Sequence, residues 1–178
     1  MTIKLTFKQP KINFWSLCHQ TCNLVSRCEE ALLDETGLTP QQYGILIAMK
    51  YNKQPVTVTT LARLLDRNTN SISMMVDRME KNALVERVKN PQDRRSMQLM
   101  ITPKGNQRLY QATRPFWGLV KRMMACWSEE ELLTATRLVE NLRQQAFEEL
   151  GIAGFVEEVH IEDDDKIARL LAEIYADG

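Results

Sequence analysis

Apolar residues recur at helical spacing along most of the chain, and the interruptions mark where one element gives way to the next. From Asn13 to Thr36 the positions Phe14, Leu17, Cys18, Thr21, Cys22, Val25, Cys28 and Leu32 repeat at three and four, the stripe of a long amphipathic helix. Trp15, Leu24 and Leu33 add apolar surface off that stripe, so this helix is expected to have two partners, its own subunit and a second one. Residues 1–12, more polar, read as an arm. Gly37-Leu38-Thr39-Pro40 ends the helix and starts another, with Thr39 as N-cap and Pro40 just inside, where its missing N–H costs nothing. Tyr43, Ile45, Leu46, Ala48 and Met49 make that second helix apolar. Lys53-Gln54-Pro55 closes it, Val56 to Val58 offers a short strand, and Thr59 or Thr60 caps the next helix.

Leu61, Ala62, Leu64 and Leu65 form the apolar face of that next, short helix, and Asp66-Arg67-Asn68 turns the chain. Asn68 is suited to cap a following helix, since its side-chain oxygen can accept an orphan N–H of the first turn. Ile72, Met75, Val76 and Met79 then fall at i, i+3, i+4 and i+7, one buried stripe. Thr69, Asn70, Ser71, Ser73, Met74, Asp77 and Arg78 are left pointing outward. Most are short donors and acceptors, a face suited to base edges and phosphates. Val85–Val88 and Met97–Ile101 alternate as two short strands joined by a long tip, Lys89 to Ser96. Two helices with a turn of about three residues, followed by a charged hairpin, read as a winged helix-turn-helix.

Thr102-Pro103 opens a further helix through Leu109, Ala112, Phe116, Leu119, Val120, Met123, Met124 and Trp127, with a kink or break expected at Pro115. Ser128-Glu129-Glu130-Glu131 is a capping box, and Leu132, Leu133, Ala135, Leu138, Val139, Leu142, Ala146 and Leu150 continue as another long helix. Gly151 and Gly154 break the pattern. Asp163 to Asp165 then cap a last helix carrying Ile167, Leu170, Leu171 and Ile174 on one face. The fold class is mainly α with a small β-wing, the long helices at the two ends being able to form one helical layer.

Charge sharpens this picture. Lys and Arg balance Asp and Glu at 23 each over 178 residues, yet residues 57–104 hold nine basic against five acidic side chains, net +4, and residues 148–178 hold two against ten, net −8. A basic centre with an acidic end points to a nucleic-acid face with the tail placed elsewhere. The N-terminal residues lack the apolar core of a signal peptide, and no run approaches the ~18 apolar residues of a membrane helix. A cytoplasmic protein without membrane association is expected, its four cysteines mostly reduced.

Leu61-Ala62, Val76-Asp77-Arg78-Met79-Glu80, Leu84-Val85-Glu86-Arg87, Asp93-Arg94-Arg95 and Ile101-Thr102-Pro103-Lys104-Gly105 together resemble the multiple-antibiotic-resistance regulator (MarR) family of transcription factors, over about residues 13–149. The Asp-Arg-Arg triplet and the Thr-Pro-Lys-Gly helix start are the most specific parts. Asp66 and Ala83 stand where such sequences often have glycine, and Asn82 is expected to serve as the left-handed cap in place of the second. The resemblance implies that the helical layer is a dimer interface. It divides the chain into an arm and dimerisation helix (1–36), a DNA-binding lobe (37–104), dimerisation helices (105–150) and an acidic extension (151–178).

The expected function is that of a homodimeric regulator, a repressor, on a pseudo-palindromic operator in double-stranded DNA. Asn68, Thr69, Asn70, Ser71, Ser73, Met74 and Arg78 would read the duplex from the helix, and Lys89, Asn90, Arg94 and Arg95 from the wing. For the Asp93-Arg94-Arg95 triplet the alternatives are an arginine in a minor groove or a plain surface turn. Phe14, Trp15, Phe116 and Trp117 read most simply as core. Between a helical layer and a DNA-binding lobe, however, the family resembled here binds small aromatic or phenolic effectors, which makes Trp15, His19 and Trp117 candidates for such a site. Cys18 and Cys22 share a helix face and are either small core residues or a thiol redox sensor. His19 and His160 are the two histidines and lack paired metal-ligand spacing. No nucleophile–base pair or phosphate loop marks an enzyme, and no cofactor is implied. The rival readings are a thiol-redox- or metal-responsive regulator of the same fold and a protein-binding module acting through the acidic extension.

Overall fold

Helix, turn, helix and hairpin follow one another in space as they do along the chain. A computed structural model describes residues 6–52, 56–89 and 97–152, and the chain separates into two compact units, Met1–Phe116 and Trp117–Gly178. The elements are α1 (Pro10–Leu33) with a 3-10 turn (Asp34–Thr36), α2 (Pro40–Tyr51), α3 (Val58–Leu64) and α4 (Thr69–Lys81). They continue with β1 (Val85–Lys89), β2 (Met97–Ile101), α5 (Pro103–Met124) and α6 (Glu129–Glu149). Strands β1 and β2 pair antiparallel from Val85↔Ile101 to Lys89↔Met97, giving a mainly helical winged-helix fold. No described helix is long and apolar enough to cross a membrane.

The first unit holds one core. Tyr43, Ile45, Leu46 and Met49 of α2, Leu61 of α3, Ile72, Val76 and Met79 of α4, and Leu109 and Ala112 of α5 are all buried in it with Leu33 at the end of α1. The stripe predicted on α4 is therefore the buried one. Phe116 packs on Tyr43 with ring centroids 4.5 Å apart. The predicted third strand shrinks to a bridge, the Leu99 N–H donating to the Val56 carbonyl at 2.8 Å. Because Val58 is already helical, the cap of α3 is Thr57, whose side chain accepts from the Thr60 N–H at 3.1 Å, and not Thr59 or Thr60. Thr39 and Gln42 make a full capping box on α2.

Three other expectations need correction. Helix α1 begins at Pro10 rather than Asn13, proline occupying the first turn, where its fixed φ fits. Helix α5 runs continuously through Pro115, so of the kink or break expected there the break is excluded. Gln111, whose carbonyl loses its donor, is exposed there along with Pro115, so water can replace the missing bond. Of the aromatics expected in the core, Phe116 packs against it, whereas Phe14 is 52% and Trp15 57% exposed.

Four helices end in the same way. The N–H of Leu38, Arg67, Leu84 and Ile152 each donates to the carbonyl five residues back, across a residue with positive φ: Gly37 (68°), Asp66 (49°), Ala83 (54°) and Gly151 (63°). This is the Schellman closure. Asn82 was expected to take the left-handed position after α4, but it lies at φ −86°. The six-residue hydrogen bond sets which residue must turn, and that residue is Ala83. An alanine there pays the left-handed penalty of about 1–2 kcal/mol, partly offset by the greater unfolded freedom of glycine. Ala83→Gly is therefore expected to stabilise the protein by roughly 0.5–1 kcal/mol, seen as a higher denaturant midpoint at unchanged slope. A lower midpoint would mean that the left-handed turn is not strained.

In the second unit, Ser128 and Glu131 form the predicted capping box of α6. The Glu131 carboxyl is held below its ordinary pKa by hydrogen bonds from the Ser128 backbone and side chain. No residue of α6 is buried, and Leu133, Leu138 and Val139 are 66%, 56% and 61% exposed. The last predicted helix, with the rest of 153–178, lies outside the described residues.

Candidate nucleic-acid interface

The presentation of α4 starts at its cap. The Asn68 side-chain oxygen accepts from the Asn70 N–H at 2.8 Å, which sets where the helix begins and commits Asn68 to the fold. Thr69, Asn70 and Ser71 occupy the first turn and are exposed. No acid sits in that turn, and Arg78 and Lys81 lie in the last one. The helix N-terminus therefore offers free N–H groups and a positive dipole end to anions. Met74 and Arg78 are exposed as expected, whereas Ser73 is half-buried on the flank. With Ile72, Val76 and Met79 all at 0% exposure on the other side, the outward face cannot rotate without unpacking the core.

One constraint on this face was not foreseen. Arg87 of β1 reaches back to α4, donating to Asp77 Oδ1 at 2.6 Å and to Glu80 Oε2. Its pKa is raised by the hydrogen bond to Asp77 and by Glu80, against desolvation by burial. All three side chains keep water contact, so the pairs contribute little to stability; what they do is tie the wing to the helix in one orientation. Asp77, expected only to point outward, is committed to this clamp. The signal was present in the sequence as two acids at i and i+3, one helix face, followed by an arginine in a strand.

A second tie holds the corner between α4 and β1. The Thr102 hydroxyl donates to the Ala83 carbonyl at 2.6 Å and accepts from the Gly105 N–H at 3.0 Å. Lys104 Nζ donates to the Asn82 carbonyl at 2.9 Å. Thr102, Lys104 and Gly105 of the helix-start motif thus each engage the turn that ends α4. Lys89 is the last residue of β1 and exposed; Asn90, Arg94 and Arg95 lie outside the described residues.

The other candidate residues are on α1 and α5. Trp15 and His19 stack edge to face, with centroids 4.8 Å apart, while Trp117 belongs to the second unit. Cys18 is half-buried, and Cys22, Cys28 and Cys126 are exposed free thiols. The described residues contain no grouping of three or more potential metal ligands. A cleft of about 520 Å³ is lined by Leu32, Glu35, Thr36, Arg108, Gln111 and Pro115. It lies some 25 Å along α1 from Trp15, at the helical rise of about 1.5 Å per residue.

Comparison with known proteins places this geometry. Residues 36–96 match the model of the MarR family. The chain is 26% identical over 114 residues to the HTH-type transcriptional repressor MdtR of Bacillus subtilis (strain 168), spanning 64% of this chain and 73% of that one. Its fold is similar to that of S. aureus MepR in complex with DNA, with a TM-score of 0.71 at 16% identity over 78% of this chain and 99% of that one. It is also similar to the organohalide-sensing regulator RdhR in its 2,4-dichlorophenol-bound form, with a TM-score of 0.70 at 23% identity over 80% and 89%.

Proposed function

We propose that the chain, whose residues 36–96 match the MarR family of transcription regulators, acts as a homodimer that represses by occupying a pseudo-palindromic operator. Helix α4 of each subunit would lie in a major groove, and half-site spacing would mirror the two-fold axis. The observation that carries this reading is the outward face of α4, with Asn70, Ser71, Met74 and Arg78 exposed over the buried Ile72, Val76 and Met79. A lobe built to hold that face still, in a segment of net +4, suits a duplex. The domain division 1–36, 37–104, 105–150 and 151–178 goes with it: α1 and α6 expose the apolar surface that a second copy would cover.

Operator binding is expected to weaken steeply with salt, as phosphate contacts release counterions. Replacing Arg94 and Arg95 by Ala should lower the slope of log affinity against log salt by about one to two, and Asn70→Ala should cost roughly 1–3 kcal/mol on the operator but little on random duplex. Gel shifts of full-length protein over a salt series measure both. An affinity independent of salt would leave the protein-binding module as the better reading.

Release by a small aromatic or phenolic effector completes the proposal. The cleft beside α5 has apolar walls in Leu32 and Pro115 and a cation in Arg108, a combination suited to an aromatic ring bearing a phenolate or carboxylate.

A further inference from the structure

Around α4, at ~100° per residue, Met74 lies within about 30° of the line opposite the buried stripe, between the exposed Asn70 and Lys81 along that side. Its neighbours on that ridge are Asn70 and Ser71 on one side and Asp77 and Arg78 on the other. At 59% exposure it is the one large apolar side chain among the described residues that α4 turns outward. Asn70, Ser71 and Arg78 can hydrogen-bond to base edges or phosphates; Met74 cannot. A thioether has no donor and is a weak acceptor, and pressing it against the N7, O6 or N4 of a base would desolvate that atom with nothing in exchange. The major-groove edge of a base pair offers one apolar group of matching character, the 5-methyl of thymine. The long, unbranched side chain of methionine can settle on such a methyl with little strain.

We propose that Met74 is a specificity-determining residue that reads a thymine 5-methyl in each operator half-site. Asn70, one helical turn earlier on the same ridge, suits the N6 and N7 of a neighbouring adenine, so the centre of the half-site is an A·T-containing step. The proposal rests on α4 being the DNA-reading helix.

The test uses full-length protein and duplexes that it selects from a random library. Each thymine in the selected site is replaced in turn by deoxyuridine, which lacks the methyl alone. The wild-type protein should lose about fourfold in affinity at one thymine per half-site, and on the order of tenfold when both are replaced, as expected for one methyl per contact. Met74→Ala should bind the thymine duplex as weakly as the wild type binds the uracil duplex, and should not distinguish the two. Met74→Leu, which keeps the apolar volume, should retain most of the discrimination. Thermal melting of both variants at the wild-type temperature excludes a folding effect. Specific binding in which no thymine-to-uracil change matters, or in which Met74→Ala discriminates as the wild type does, overturns the assignment and leaves α4 as the reading helix. Failure to select any sequence overturns both.

Discussion

Alanine at position 105 is expected to cost the protein about 3 kcal/mol or more, near the upper end of what overpacking does. Gly105 opens α5 against the corner where α4 meets β1, and a Cβ there would lie 2.0 Å from the Leu84 carbonyl oxygen and 2.9 Å from Ile101 Cγ2. The oxygen belongs to the backbone and accepts from the Thr102 N–H, so it cannot swing aside as a side chain would. Either α5 lifts away, breaking the Thr102 and Lys104 bonds to residues 82 and 83, or β1 shifts and pulls Arg87 from Asp77 and Glu80. A Tm lower by roughly 6–12 °C follows for a chain of this size, with operator binding weakened further because the wing and α4 lose their common anchor. Gly44→Ala is the matched control. It sits inside α2 with nothing within 4 Å of an added Cβ, and should raise stability by about 0.5–1 kcal/mol through helix propensity. If Gly105→Ala melts with the parent, the close approach of α5 to Leu84 is not part of the fold.

Val139→Glu is expected to turn the proposed dimer into monomers and to cut operator affinity on the order of 100-fold. Val139 stands in the middle of the apolar stripe of α6, between Ala135 and Leu142, yet is 61% exposed in the single chain. Leu138 beside it and Leu133 are as open, and on α1 so are Ile12 at 47%, Phe14 at 52% and Leu24 at 53%. Surface of this extent on a helical face is normally covered. A carboxylate placed in it must be buried without a partner or keep the two copies apart, and the first costs several kcal/mol. Losing the dimer also loses the gain from binding two half-sites at once, a factor of roughly 10² or more. Asn141→Glu, on the exposed polar side of α6, should leave assembly unchanged. Sedimentation at micromolar concentration separates the outcomes: a Val139→Glu protein that remains dimeric places the interface elsewhere.

Much of this architecture was determined by the sequence itself, because its causes are local. The spacing of Ile72, Met75, Val76 and Met79 decides which side of α4 is buried and therefore which side is offered outward. Asn68, Thr39 with Gln42, and Ser128 with Glu131 satisfy helix-end N–H groups two or three residues away, so they can be read without knowing the fold. The strands Val85–Val88 and Met97–Ile101 follow from the same kind of short-range signal.

Only the tertiary structure decided what depends on groups distant in sequence. Arg87 meets Asp77 and Glu80 because β1 turns back along α4, and Ala83 takes a left-handed conformation because the closing hydrogen bond of Leu84 to Met79 and the hold of Thr102 outweigh its own preference. The same long-range packing leaves Phe14 and Trp15 exposed on a helix whose periodicity promised burial. Periodicity tells that a face is apolar, whereas what covers it depends on which surfaces the folded chain brings opposite. For α1 and α6, the described residues do not supply that cover.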